Sequence, residues 1–160
     1  MNQQDYMFLT TWFLPARVET VWEELTRPER WPKWWGGLLS VRRIEEGDVL
    51  GIGAVRRFTW VGWLPYLVTV NLRVTQKERP RLIVSQASGS LEGVGTWRLE
   101  PAVGGTTATY EWNVRTTNPV MNALGVVCKP LFSWNHNVVM DRGLEGLTEW
   151  LTSEAREGET

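Results

Sequence analysis

The sequence predicts an α+β fold: a curved, seven-stranded antiparallel sheet wrapped around a long C-terminal helix, with two short helices between strands one and two. Three observations predict it. Pro130 to Glu154 reads as one amphipathic helix, because Phe132, His136, Val139, Met140, Gly143, Gly146, Leu147 and Trp150 fall on one face at about 100° per residue. Leu38 to Thr116 is strand and turn repeated six times, with no stretch long enough to act as a linker. Between Pro15 and Gly37 the period changes to helical and back again.

Each element has a local reason. Tyr6 to Phe13 is rich in aromatic and β-branched residues and stops before Pro15, which predicts a first strand. Pro15 then suits a helix start, and Val18, Val21, Trp22 and Leu25 repeat along one side of a short helix. Pro28 opens a second helical segment, Glu29 to Trp35, closed by Gly36-Gly37. The six further strands are Leu39 to Glu45, Ala54 to Val61, Tyr66 to Lys77, Leu82 to Ser88, Gly93 to Glu100 and Thr107 to Arg115. Gly47-Asp48, Gly62 to Pro65, Arg79-Pro80, Gly89-Ser90 and Gly104-Gly105 supply the turns, and connections this short force antiparallel neighbours. Asn118-Pro119 starts a short helix through about Val127, and Pro130 starts the long one.

The pleat decides which strand residues face inward. Ala108, Tyr110, Trp112 and Val114 share one face, as do Trp97 and Leu99 next to them. Phe58 and Trp60 share a parity with Arg56, and Val70, Leu72 and Val74 face in on the next strand. For 82–88 either Ile83, Ser85 and Ala87 or Leu82, Val84 and Gln86 satisfy the pattern. On the long helix, Gly143 and Gly146 leave two missing side chains beside Leu147 and Leu151. Interior glycine costs roughly 0.5 to 1 kcal/mol, so this face needs a close backbone, for which the sheet is the expected partner.

Composition narrows the function. A chain of 160 residues forms one domain over 1–160, with its core in 6–151. Its net charge of -1, with lysine and arginine scattered, is not the footprint of a nucleic-acid binder. One cysteine, Cys128, and one histidine, His136, leave too few ligands for a structural zinc site, and no cofactor or metal is expected. No basic leader and no apolar run of membrane-spanning length are present, which predicts a cytoplasmic protein without a membrane span. Tryptophan is the anomaly, at 11 residues. Core rings or an aromatic-lined pocket would each account for it.

Three stretches carry a family resemblance: Val21 to Leu25 running on to Trp31-Pro32-Lys33-Trp34-Trp35; Gly89 to Trp97; and Trp134-Asn135-His136 with Val139-Met140, Gly143, Gly146 and Leu147. Together with the order of elements, they resemble the helix-grip fold of the START-related superfamily, which holds polyketide cyclases/dehydrases, lipid-transfer domains and the birch-pollen allergen. The likeness runs from Tyr6 to Leu151. It implies a cavity between sheet and helix for a sterol, phospholipid, polyketide or hormone, and catalysis in a minority of members. It carries over no catalytic residue.

The expected function is the binding of one hydrophobic small molecule in that cavity. Phe132, Asn135, His136 and Met140 form the helix wall, with Trp60, Trp97, Tyr110 and Trp112 on the sheet. Arg56 is either a partner for a ligand carboxylate, one half of a salt bridge, or a residue of an exposed edge. Trp34, Trp35 and Trp63 are expected at the cavity mouth, or as an exposed aromatic patch for a partner or a membrane surface. His136 is either the general acid/base of a cyclase or dehydratase, with Asn135 or Tyr110 holding a carbonyl oxygen, or a histidine satisfied in a wall. A Ser-His-Asp triad is not expected, since there is no Gly-x-Ser-x-Gly elbow. Gly51-Ile52-Gly53 lacks the third glycine and the helix of a phosphate loop and is read as a bend. Oligomeric state is not legible.

Overall fold

Strand, two helical turns, six strands and a long helix follow one another in the computed structural model, which describes residues 5–62 and 67–159. The strands are β1 (Asp5–Leu14), β2 (Leu38–Glu45), β3 (Val55–Val61), β4 (Leu67–Glu78), β5 (Leu82–Gly89), β6 (Leu91–Ala102) and β7 (Gly105–Thr116). They form one antiparallel sheet in the order β1-β7-β6-β5-β4-β3-β2. Short hairpins keep β2 to β7 in sequence. The helical segment between β1 and β2 carries the chain from one edge of the sheet to the other, so that segment must cross an end of the sheet. The helices are α1 (Val18–Leu25), α2 (Pro119–Ala123) and α3 (Gly125–Gly158).

Three boundaries differ from expectation. The segment after α1 is a 3₁₀ helix, Pro28–Lys33: Pro28 suits its first position, while Pro32 inside it lacks the N–H that an α-helix would bond to Pro28. The helix predicted to run through Val127 stops at Ala123: Asn118 caps it, accepting from the Val120 and Met121 amides at 2.9 and 3.3 Å, and Leu124 forms a turn at its end. Pro130 does not start the long helix but lies inside α3, close enough to its start that only one internal hydrogen bond is forgone. The open parity of β5 is settled: Ile83 and Ala87 are buried, and Ser85 shares their side.

The core is built from indole rings. Trp12, Trp22, Trp31, Trp34, Trp35, Trp97 and Trp112 are all buried. Trp12 lies 5.3 Å from Trp35 and 5.0 Å from Trp97 between ring centroids, and Trp31 lies 5.3 Å from Trp35. Tilted contacts at such spacings add about 0.5 to 1.5 kcal/mol each beyond area burial. Trp34 and Trp35 are therefore core residues, 6% and 3% exposed, and not lips of a mouth. Trp63, the third residue expected there, lies outside the described residues.

The physical reason for that correction is on α3. A Cβ on Gly146 would overlap the Trp34 carbonyl oxygen, and one on Gly143 would sit 2.5 Å from the Trp35 ring. Both glycines thus face the connection between the 3₁₀ helix and β2, not the sheet that the sequence led us to expect. The absence of a side chain at Gly143 lets the Trp35 indole lie on the helix backbone, where its Nε1–H donates to the Val139 carbonyl at 2.9 Å. Further along α3, Phe132 and His136 meet β1 residues Tyr6 and Phe8 edge-on and stacked, respectively, leaving a space between helix and sheet.

Candidate functional site

A cavity of about 620 Å³ occupies that space. Every expected wall residue borders it: Arg56, Trp60, Trp97, Tyr110, Trp112, Phe132, Asn135, His136 and Met140. Alternation along antiparallel strands accounts for the sheet side. Trp97 pairs with Tyr110 across β6 and β7, their rings stack at 4.5 Å, and Tyr110 stacks on Trp112 at 5.7 Å. Gly95 stands opposite Trp112, where any side chain would collide with the Tyr110 hydroxyl and the Trp112 ring. A continuous aromatic surface results.

Sequence reasoning missed several wall residues. Tyr6 and Phe8 share the parity of Trp12 in β1, so alternation alone would have found them. Trp31 borders the cavity from within the core beside Trp35, which was expected at the mouth and also lines the space. Lys77 also lines the space, for a reason that no sequence pattern carries.

The polar groups are few. His136 stacks on Phe8 with ring centroids 4.1 Å apart, and its Nε2 is buried without a hydrogen-bond partner among the described residues. The Tyr6 hydroxyl is in the same condition. Burial holds the imidazole pKa down at about 4, so the ring is neutral at pH 7. Burial also pushes the Tyr110 hydroxyl far above its ordinary range. Asn135 is packed over Gly62, whose Cα faces its side-chain amide. Arg56 borders the cavity but is already engaged: its Nε donates to Glu29 Oε1 at 2.7 Å, and Arg43 approaches the same carboxylate at 3.1 Å. Burial is the largest single influence and raises the Glu29 carboxyl, but the hydrogen bonds from Arg56, its own backbone and Arg43, with the Arg56 charge, together outweigh it and hold the pKa below the usual value. The salt-bridge reading of Arg56 is the one the geometry favours. No carboxylate lines the cavity among the described residues, and these residues include no His/Cys/Asp/Glu cluster fit to hold a metal.

The neutral imidazole has a thermodynamic consequence. The unfolded chain takes up a proton on His136 near pH 6.5, whereas the folded chain does so only near pH 4. This contribution to stability is present above pH 6.5 and lost as pH falls from there toward 4. Between pH 7 and about pH 5 the loss is about 2 kcal/mol at 1.36 kcal/mol per pH unit. Urea midpoints of wild type and His136→Gln at both pH values measure it. The wild type should lose about 2 kcal/mol more than the variant, and parallel losses would show an imidazole that titrates normally.

The family profile described as polyketide cyclase/dehydrase and lipid transport matches residues 10–151. The chain belongs to that family. Among solved structures, the TTHA0849 protein of Thermus thermophilus superposes with a TM-score of 0.75 at 18% identity, covering 93% of this chain and 99% of that one. The di-domain ARO/CYC BexL from the BE-7585A biosynthetic pathway gives 0.64 at 17%, covering 89% of this chain and 50% of that one. Ara h 8.0201 gives 0.64 at 16%, covering 94% and 99%. At these identities the likeness establishes the helix-grip fold. No curated protein matches the sequence. Among the described residues, no helix of this polyketide cyclase/dehydrase and lipid transport family member is long and apolar enough to cross a membrane.

Proposed function

We propose that the protein is a cytoplasmic binding protein that holds one hydrophobic, ring-bearing or acyl small molecule between the sheet and α3. The observation that carries this reading is the cavity itself: about 620 Å³, within the range of small-molecule sites, and walled mainly by aromatic and aliphatic side chains. An apolar ligand there would touch Trp60, Trp97 and Trp112 and change tryptophan emission saturably. Met140 is buried in the wall, so Met140→Trp would fill the volume. Titration with a fatty acid, a sterol and a polycyclic aromatic is the test, with circular dichroism to establish that the variant folds. At least one ligand should saturate the wild type, and its Kd should rise about tenfold or more in Met140→Trp, since overpacking a site costs about 1 to 3 kcal/mol. No saturable change with any ligand, in protein shown by native mass spectrometry to be empty, overturns the reading and favours an interaction module.

A second reading is an enzyme of the cyclase or dehydratase kind. Its support is the unpartnered His136 Nε2 on the cavity wall. Two features count against it. A base with a pKa of about 4 is weak at pH 7. No carboxylate in the described wall is present to hold or charge the ring. An interaction module has less support again, since Trp134 is the only exposed tryptophan among the described residues.

A further inference from the structure

Lys77 enters the cavity because of a single irregularity in β4. Across β4 and β5 the register pairs Leu72 with Ala87 and Val74 with Ser85, all on the inner face. Strict alternation would then turn Lys77 outward. A one-residue bulge between Val74 and Gln76 shifts the phase, so that Lys77 pairs with Ile83, a buried inner residue. Bulges re-aim side chains in this way, and here the re-aimed side chain is a cation.

The ammonium is partly buried there, and the carboxylates that act on it, Glu23 and Asp48, do so from beyond ion-pair distance. Lys77 has no ion pair and no hydrogen bond among the described residues. Its Nζ lies 6.0 Å from the Trp22 ring centroid and against the backbone of Gly51. The charged residues of the described wall are Arg56 and Lys77, both cationic, and Glu29 already occupies Arg56. Burial first, then Arg56 and Arg79, work against the charged form of Lys77, and Glu23 and Asp48 offset them only in part, a cost that an arriving anion would relieve. From Lys77 the cross-strand row runs through Ile83, Trp97 and Tyr110, so an apolar body anchored at the ammonium would lie on the aromatic surface. With four strand spacings of about 4.8 Å between β4 and β1, that body has room to extend toward Tyr6 and His136.

We infer that Lys77 is a ligand-binding residue and that the cavity selects amphipathic carboxylates, with the carboxylate on the Lys77 ammonium and the apolar part across Trp97 and Tyr110. This rests on the proposed binding function and narrows it to one ligand class. The probes are dodecanoic acid and dodecan-1-ol, which share a chain and differ in the head group, titrated by tryptophan emission against wild type, Lys77→Met and Lys77→Arg. A charge-assisted contact at this partly buried ammonium predicts that wild type binds the acid about tenfold or more tightly than the alcohol. Lys77→Met should bring the acid down to the affinity of the alcohol while leaving the alcohol within about twofold, and Lys77→Arg should recover most of the difference. Equal affinity for the two probes in wild type overturns the inference but leaves the binding function standing, and this comparison does not depend on how the variants fold. Acid selectivity that survives in Lys77→Met also overturns it. Failure of both probes to bind wild type overturns the inference, and the binding function then stands or falls separately on the sterol and polycyclic aromatic titrations.

Discussion

Replacing Gly146 by leucine is expected to destabilise the fold by more than about 3 kcal/mol, and to lower Tm by roughly 6 to 12 °C for a chain of this length. Helix propensity predicts the opposite sign, since glycine in a helix interior is about 1 kcal/mol worse than a good helix former. Packing decides the outcome. A Cβ at Gly146 would overlap the Trp34 carbonyl oxygen, a backbone atom that no rotamer change can move aside. Either α3 or the Trp34–Trp35 connection must shift, and Trp35 carries the hydrogen bond to Val139 and ring contacts to Trp12 and Trp31. Gly143→Leu meets a ring instead of a carbonyl and should cost less, about 1 to 3 kcal/mol. Gly158→Ala supplies the control, because nothing lies within 4 Å of its added carbon, and its effect should be near zero or slightly stabilising. Thermal melts of the three variants test the order. A Gly146→Leu protein melting at or above wild type would mean that α3 does not rest on this connection.

The sheet was legible because pleating has a period of two and the strands of this chain respect it where aromatic residues mark the phase. Tyr110 and Trp112 fixed β7, Trp97 and Leu99 fixed β6, and Phe58 and Trp60 fixed β3; each of these faces is the buried one. In β5, where Ile83, Val84 and Ala87 lie on both parities, only the packed structure selects a side. Lys77 escaped for the converse reason. A bulge adds one residue without any mark in composition, so every residue beyond Val74 changes face silently. Trp34 and Trp35 were misplaced because two adjacent rings before Gly36-Gly37 read equally well as an exposed rim. What buries them is a pair of glycines more than a hundred residues later, a tertiary contact with no local signature. The same glycines were recognised as a close-packing face, but the wheel that finds a face does not name what rests on it. His136 was placed on the cavity side by helical spacing alone, whereas its lack of a partner could only be seen in three dimensions.

The substitution His136→Gln separates the two catalytic outcomes by orders of magnitude. If the cavity converts a polyketide-like substrate, His136 is the acid/base that the geometry offers, and its loss should lower turnover by about 10² to 10⁴ while the dissociation constant stays within a few-fold. The glutamine keeps the volume and one polar atom near the position of Nε2, so binding by shape is preserved. If the protein is a carrier, as we propose, no ligand that saturates it will turn over, and the same change will alter affinity alone, by about 1 kcal/mol for one hydrogen bond. The imidazole is neutral at pH 7 in both cases, so protonation state does not discriminate between them and rate does. Dissociation constant and product formation are therefore measured together, on the same ligand, for wild type and variant. Product formed by the wild type and lost in His136→Gln would replace the carrier by an enzyme. Product formed equally by both would remove His136 from the chemistry and leave Lys77 as the titratable group to test next, since Tyr110 is held firmly protonated by burial and the described wall of the cavity contains no carboxylate.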